Sequence, residues 1–320
     1  MPRKVLSESS ISRGRSFADP KALMAIRNLE LRARIIVQGF WKGLHRSHYH
    51  GFSVEFTEYR QYSPGDDTRY LDWRLYARSD RYYLKRFEDE TNLRCQLLVD
   101  CSPSMEYGSV SYLKSDYART LAATLAWFLH HQGDAIGLLT FDEMVRDYLP
   151  PRHRPGHLRR LMLALEHKAA GRRTNISEPL QRTAELTRKR SLVIMISDLL
   201  TPLKDFQRHL ARLTAAGHEV VVLQILDPTE VAFDFQQPTL FRDLETQREI
   251  YVEPDRARRN YQKNFQTHCS SAESSCRILG VAFHRLLTDR PLELALLDFL
   301  RDRTQRNRLV RRNGMIRSKS

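Results

Sequence analysis

The residues best suited to chemistry in this 320-residue chain are Asp100, Ser102, Ser104, Thr174 and Asp198. Asp100 ends the apolar run Leu97-Leu98-Val99, and Ser102 and Ser104 follow it at alternate positions. Thr174 lies in GRRTNISEPL, just before a helical pattern, and Asp198 ends SLVIMISD. All five side chains offer oxygen, none offers nitrogen or sulfur, and two carry charge. Such a donor set suits a hard divalent cation that keeps some of its water. Mg2+ is the natural occupant, with Mn2+ as a substitute. It takes six ligands at about 2.0–2.1 Å, so three hydroxyls and waters held by two carboxylates leave one position for an outside carboxylate. Serines and aspartates after a strand are common helix caps, and Asp100 or Thr174 taken alone is more often a cap than a ligand. The metal reading rests on all five in this order.

Those groups meet only if the surrounding elements bring them to one edge. From Arg94 onward the pattern is regular: strand 95–99, helix 112–131, strands 135–141 and 144–149, helices 156–168 and 176–189, and the strand SLVIMIS. Helix 203–216, the strand EVVVLQIL, a hairpin in LFRDLETQREIYVEP, a polar helix over 255–279, the strand VAFHRLL and a last helix from Pro291 complete it. Runs such as Leu192 to Ile196 and Val220 to Ile225 lack in-out alternation, as expected of strands covered on both faces. The expected fold is α/β, a doubly wound and mostly parallel sheet. Ligands in such sheets sit at the carboxyl ends of the strands, near the point where strand order reverses. Ahead of this unit, PKALMAIRNLELRARIIVQGFWKGL predicts an amphipathic helix from about Pro20 to Val37. Residues 51–90 mix aromatics with both signs of charge around the turn Ser63-Pro64-Gly65-Asp66 and read as short strands. The division that follows is a basic tail over 1–19, a helix with a small β-rich region over 20–93, the α/β domain over 94–303, and a second basic tail over 304–320.

The order DxSxS, loop threonine, strand-ending aspartate resembles the metal-ion-dependent adhesion site of von Willebrand factor A domains, over roughly residues 94–226. Asp100, Ser102 and Ser104 match its first loop, Thr174 its second and Asp198 its third. The preceding segment adds a second likeness. Arg60, Gln61, Tyr62, Ser63, Pro64, Gly65, Asp66, Asp67, Arg69, Asp72 and Trp73 resemble the core motif of the bacterial domain of unknown function family 58. With AFHRLLTDRPLELALLDFLRDR, that likeness covers about residues 40–303. It implies a von Willebrand factor A-like, Rossmann-like fold and a non-enzymatic, metal-dependent adaptor. The implied partners are a MoxR-type AAA+ ATPase and a client protein. Many relatives carry amino-terminal membrane helices, a feature this sequence lacks.

Composition bounds the alternatives. The net charge of +14 resides at the ends: residues 1–50 hold 10 Lys/Arg against 3 Asp/Glu, and residues 301–320 hold 8 against 1. The middle is neutral, so the basic ends read as solvated tails with a general attraction for phosphate or anionic lipid. Nucleic-acid binding through them is the weaker reading, and peripheral membrane contact is compatible with them. No uncharged apolar stretch is long enough to span a bilayer and no secretory signal opens the chain, which predicts a cytoplasmic protein. Cys95, Cys101, Cys269 and Cys276 read as reduced thiols. An aspartyl-phosphate phosphotransferase with Asp100 as nucleophile is the enzymatic alternative. Ser102 stands where a second carboxylate is needed, and no basic residue in the adjacent loop is evidently placed to balance phosphate. No catalytic residue is therefore expected. His130, His131, His153 and His157 are expected in solvated or capping roles. Asp66, Asp67, Arg69, Asp72, Arg74 and Arg78, with Tyr70 and Trp73, form either a partner surface or, the favoured reading, an internal ion-pair and stacking network. Met105 and Tyr107 either rim the metal loop or cover the core.

Overall fold

The computed structural model describes residues 19–46, 59–61, 83–85, 93–167, 171, 173–187, 189–243 and 248–300. Both basic ends, and the 62–82 segment that holds Asp66, Tyr70 and Trp73, lie outside the described residues. The chain opens with helices α1 (Pro20–Met24) and α2 (Leu29–Arg46), then an antiparallel pair, β1 (Tyr59–Gln61) and β2 (Tyr83–Lys85). The α/β unit follows: β3 (Arg94–Asp100), α3 (Lys114–His131), β4 (Ala135–Phe141), β5 (Val145–Arg152), α4 (His157–Glu166), α5 (Ser177–Leu186) and β6 (Leu192–Ser197). It continues through α6 (Leu203–Ala215), β7 (Glu219–Leu226), α7 (Pro228–Ala232), hairpin strands β8 (Thr239–Arg242) and β9 (Glu249–Val252), α8 (Pro254–Ile278) and β10 (Ala282–Leu287). A helix over 292–300, α9, ends the described chain.

The central sheet has the order β10-β7-β6-β3-β4-β5, parallel throughout except for β5, which pairs antiparallel with β4. From β3 the chain moves outward to β4 and β5, then returns to the other side of β3 to lay down β6. The switch point therefore falls between β3 and β6, whose carboxyl ends carry Asp100 and Asp198.

Alternate residues of each strand feed two cores. Leu97, Val99, Ile194, Ile196, Leu223 and Ile225 pack with α2, α3, α4 and α9 on one face. Leu98, Val193, Met195 and Val222 pack with α5, α6 and α8 on the other. This is the doubly wound, mostly parallel α/β sheet expected from the apolar runs. Ile36, Val37 and Phe40 of α2 are buried with the first core. Phe40 meets Phe128 of α3 edge-on at 6.4 Å between ring centroids.

Two local expectations need correction. The helix predicted over Pro20–Val37 is broken at residues 25–28, because Asn28 Oδ1 caps α2 by accepting from Leu31 N–H at 2.8 Å. Arg32 holds the break, donating to the Ile26 carbonyl (2.6 Å) and to Thr120 Oγ1 on α3 (2.6 Å). His157 is neither solvated nor a simple cap. It is buried and its Nε2 donates to the Ile136 carbonyl at 2.7 Å. The β4–β5 register shifts beside Ile136, where Pro150 and Pro151 of β5 have no N–H to offer, so an imidazole from the next helix supplies the donor. All four cysteines are free thiols, and among the described residues no helix is long and apolar enough to cross a membrane.

Candidate functional site

Four adjacent parallel strands, β4, β3, β6 and β7, each end on or are followed by a buried aspartate: Asp142, Asp100, Asp198 and Asp227. Burying an ionised carboxylate is costly unless donors or cations compensate it. How each is satisfied separates the structural acids from the candidate metal centre.

Asp142 and Asp227 are fully engaged. Arg146 Nε donates to both Asp142 oxygens (2.8 and 2.7 Å), and the N–H groups of Met144 and Gly171 donate to them as well. Asp227 accepts from Ser109 N–H (2.8 Å), Ser109 Oγ (2.5 Å) and Thr229 N–H (2.8 Å), which caps α7 and ties the loop after β3 to the end of β7. Asp198 is a third case. Its Oδ1 accepts from Leu200 N–H at 3.1 Å and its Oδ2 from the fully buried Lys114 ammonium at 2.9 Å. That ammonium also donates to Glu230 Oε1 at 2.6 Å. Burial opposes the charge on Lys114, but the two carboxylates outweigh it and hold its pKa above the ordinary ammonium value.

Asp100 differs from all three. Its oxygens accept from neutral groups, Ser102 N–H at 2.9 Å and Ser197 Oγ at 2.6 Å. Among the described residues no basic side chain pairs with it. Burial and the nearby Asp198 carboxylate push its pKa up to about 7, against the hydrogen bonds from Ser197 and Ser102.

The turn that follows presents the hydroxyls. Once Ser102 N–H closes on Asp100, a short 3₁₀ turn over Pro103–Glu106 begins, anchored by the buried Met105. Met105 thus covers the core, whereas Tyr107 faces a cavity described below. The turn brings Ser102 Oγ within 3.1 Å of Ser104 Oγ. Two ligands at right angles on an octahedral Mg2+ lie about 2.9 Å apart, so this spacing fits adjacent coordination positions. Thr174 sits half-buried in the 171–176 loop. Asn175 N–H of that loop donates to the Asp142 carbonyl at 2.8 Å and Gly171 N–H to the Asp142 carboxylate at 3.0 Å. Asp142 follows Phe141, the β4 partner of Asp100, so the Thr174 loop is latched to the same edge.

Asp100, Ser102, Ser104 and Asp198 are therefore gathered at the switch point, with the Thr174 loop alongside. Among the described residues no three His, Cys, Asp or Glu side chains form a metal-holding group. A cation here would take its protein oxygens mainly from hydroxyls, with Asp100 and Asp198 acting through water. The donor types fit Mg2+.

Sequence reasoning missed Lys114, Glu230, Asp227 and Ser197. Asp227 ends an apolar strand as Asp100 does, and Asp227-x-x-Glu230 is a capping box, so both carried a readable signal. Lys114 carried none, and it reaches the acids from the first turn of α3, not from the adjacent loop. Backbone strain also concentrates here. Leu199, next to Asp198, is buried in the left-handed region at φ 58°, a conformation costing about 1–2 kcal/mol for a residue with a Cβ. It is held by Ser197 Oγ, which accepts from its N–H, and by His268 Nε2, which donates to its carbonyl at 2.8 Å.

The chain as a whole is similar to several known proteins. Two relatives, described as uncharacterized protein Mb1516 of Mycobacterium bovis and uncharacterized protein Rv1480 of Mycobacterium tuberculosis, are each 28% identical over 304 residues. These spans cover 93% of this chain and 95% of the relative. Among solved structures, the conserved hypothetical protein BatB of Bacteroides thetaiotaomicron is 14% identical with a TM-score of 0.48, covering 67% of this chain and 99% of that one. The SpRpn10 VWA domain is 12% identical with a TM-score of 0.39, covering 63% and 92%. Residues 58–271 match the family model described as Protein of unknown function DUF58. The chain thus belongs to the DUF58 family, with a doubly wound, mostly parallel α/β domain as its body.

Proposed function

We propose that this protein is a non-enzymatic, Mg2+-dependent protein-interaction module in which a partner's Asp or Glu completes the metal shell. Ser102, Ser104 and Thr174 would ligate through their hydroxyls, Asp100 and Asp198 through water, with Mn2+ as a substitute. The observation that carries the reading is the hydroxyl pair at 3.1 Å beside a buried carboxylate served only by neutral donors. A cation there supplies the positive charge that Asp100 lacks and leaves an open position toward solvent. Lys114 is the one finding that favours a phosphotransferase, since such enzymes need a basic group near phosphate. Its ammonium is already shared by Asp198 and Glu230 and has no exposure, which counts against that role.

The family resemblance extends the proposal to a cytoplasmic adaptor for a MoxR-type AAA+ ATPase acting on a client protein. Affinity capture from extracts of the native cell tests both parts, with wild type and Ser104→Ala compared in Mg2+ and in EDTA. Retention of an AAA+ ATPase that needs both Mg2+ and Ser104 is the expected result. Identical partner sets in all four samples would sink the proposal.

A further inference from the structure

Beside the candidate metal centre lies a cavity of about 610 Å³, within the range of sites that enclose a ligand group. Ser104 and Leu200 form its edge at the centre, Tyr107 and Glu230 one wall, and Phe233, Phe235, Phe241 and Tyr261 its apolar body. These rings are braced against one another, Phe233 on Tyr261 at 4.4 Å and Phe235 on Phe241 at 4.8 Å between centroids, so the body is preformed. The two non-glycine residues with positive φ among the described residues are Phe233, which lines the cavity, and Leu199, which precedes the lining residue Leu200. Strain of this kind persists where surrounding structure fixes it, and it clusters at sites of binding.

We infer that this cavity receives an aromatic or large aliphatic side chain from a partner protein, on the same segment as the acidic residue that reaches the metal centre. The inference rests on the carboxylate-binding reading above. Three observations select this occupant. First, Ser104 belongs to both the hydroxyl pair and the cavity wall, so a ligand acid at the centre places its neighbouring side chains at the cavity mouth. Second, the wall charges offset one another and so admit an acidic, apolar segment. Glu230 is engaged by Lys114, and Arg242 and Asp243 on the wall carry opposite charges. Third, a macromolecule is indicated by what surrounds the cavity. Of the ten exposed large hydrophobic residues described, Leu200, Val231, Leu240, Ile250 and Tyr251 all lie on the elements that frame it. Apolar surface gathered this way marks a protein contact more than a small-molecule site. A second depression shares Leu200 and Tyr261 with the cavity and runs on over Pro202 and His268, giving room for an extended segment.

The test uses the full chain and acetylated, amidated Gly/Ser peptides that carry one Asp and one Phe at stepped separations, with Asn-for-Asp and Ala-for-Phe controls. Binding is followed by calorimetry in Mg2+ and in EDTA. At the best separation, Phe should strengthen Mg2+-dependent binding at least about tenfold over Ala, as expected for burying one large apolar side chain. Phe241→Ser, which opens the cavity, and Ala257→Phe, which fills it, should each abolish that gain while retaining cooperative thermal unfolding. If the Phe and Ala peptides bind alike in Mg2+, or if both variants keep the gain, the cavity inference is overturned and the carboxylate reading survives. If Phe matters but neither Asp nor Mg2+ does, the apolar site stands and the carboxylate reading fails. No binding by any peptide overturns the inference.

Discussion

Lys114 supplies a fully buried positive charge beside Asp198 and Glu230. Removing one partner of a buried ion pair leaves the others uncompensated and costs about 3–5 kcal/mol. Lys114→Met should lower the unfolding free energy by about that amount in urea titrations. Mg2+ should recover more stability in this variant than in wild type, because a cation at the hydroxyl pair again offsets Asp198. A loss of less than about 1 kcal/mol would mean that Asp198 and Glu230 do not depend on the ammonium. Asp100 gives the complementary test. Mg2+ at ten times its dissociation constant stabilises a folded state by about 1.4 kcal/mol, or about 3–5 °C for a domain of this size. Asp100→Ala should lose most of that rise, and equal responses would remove Asp100 from the centre. At this scale the sequence was legible where spacing carried meaning: DxSxS after an apolar run, and Asp198 closing another. Lys114 was not, since a lysine in the first turn of an amphipathic helix has the same pattern whether it faces solvent or reaches inward.

The loop that carries Thr174 is positioned by its latch to Asp142, and the tightest point of that latch is Gly171. A Cβ at Gly171 would collide with the Asp142 carboxyl group, which cannot retreat while Arg146 holds both its oxygens. Gly171→Ala should therefore displace the loop and cost about 1–3 kcal/mol of stability. The Mg2+ concentration for half-maximal thermal stabilisation should also rise severalfold. A variant that loses stability but keeps its Mg2+ response would remove Thr174 from the shell. Elements with continuous apolar runs, such as β6 and β7, were readable because only a strand covered on both faces tolerates them. The break in the first helix was harder to see, although Asn28 was available as a cap. Its cause includes a long-range contact, Arg32 to Thr120, that periodicity cannot encode. The latch is also long-range, so the sequence placed Thr174 in a loop without showing what holds the loop.

Across the whole molecule, buried imidazoles contribute to the response to acid. His157, His209 and His218 are buried, and in each case Nδ1 has no hydrogen-bond partner among the described residues. Burial is the leading cause that lowers all three pKa values from 6.5. Arg152, Arg154 and Arg160 add to the effect at His157, and Arg208 and Arg212 at His209, where Asp205 opposes it. At His157 and His218 a backbone hydrogen bond, to Ile136 and Thr187 respectively, works the other way. A folded-state pKa below the unfolded value means that the unfolded chain binds protons first. The stability tied to these groups is therefore present above pH 6.5 and lost as pH falls through their folded values, at up to about 1.4 kcal/mol per group per pH unit. Asp100 acts in the opposite sense, its contribution being full below 3.8 and lost as pH rises through about 7. Glu230, raised by burial against the pull of Lys114, acts in the same sense as Asp100, so the imidazole contribution is isolated by substituting a single histidine. Between about pH 7 and about pH 5, His157→Gln, which keeps a donor for the Ile136 carbonyl but cannot protonate, should lose less stability in urea titrations than wild type does. If wild type and His157→Gln lose the same stability over that interval, the imidazole is already charged in the folded protein and the burial argument fails.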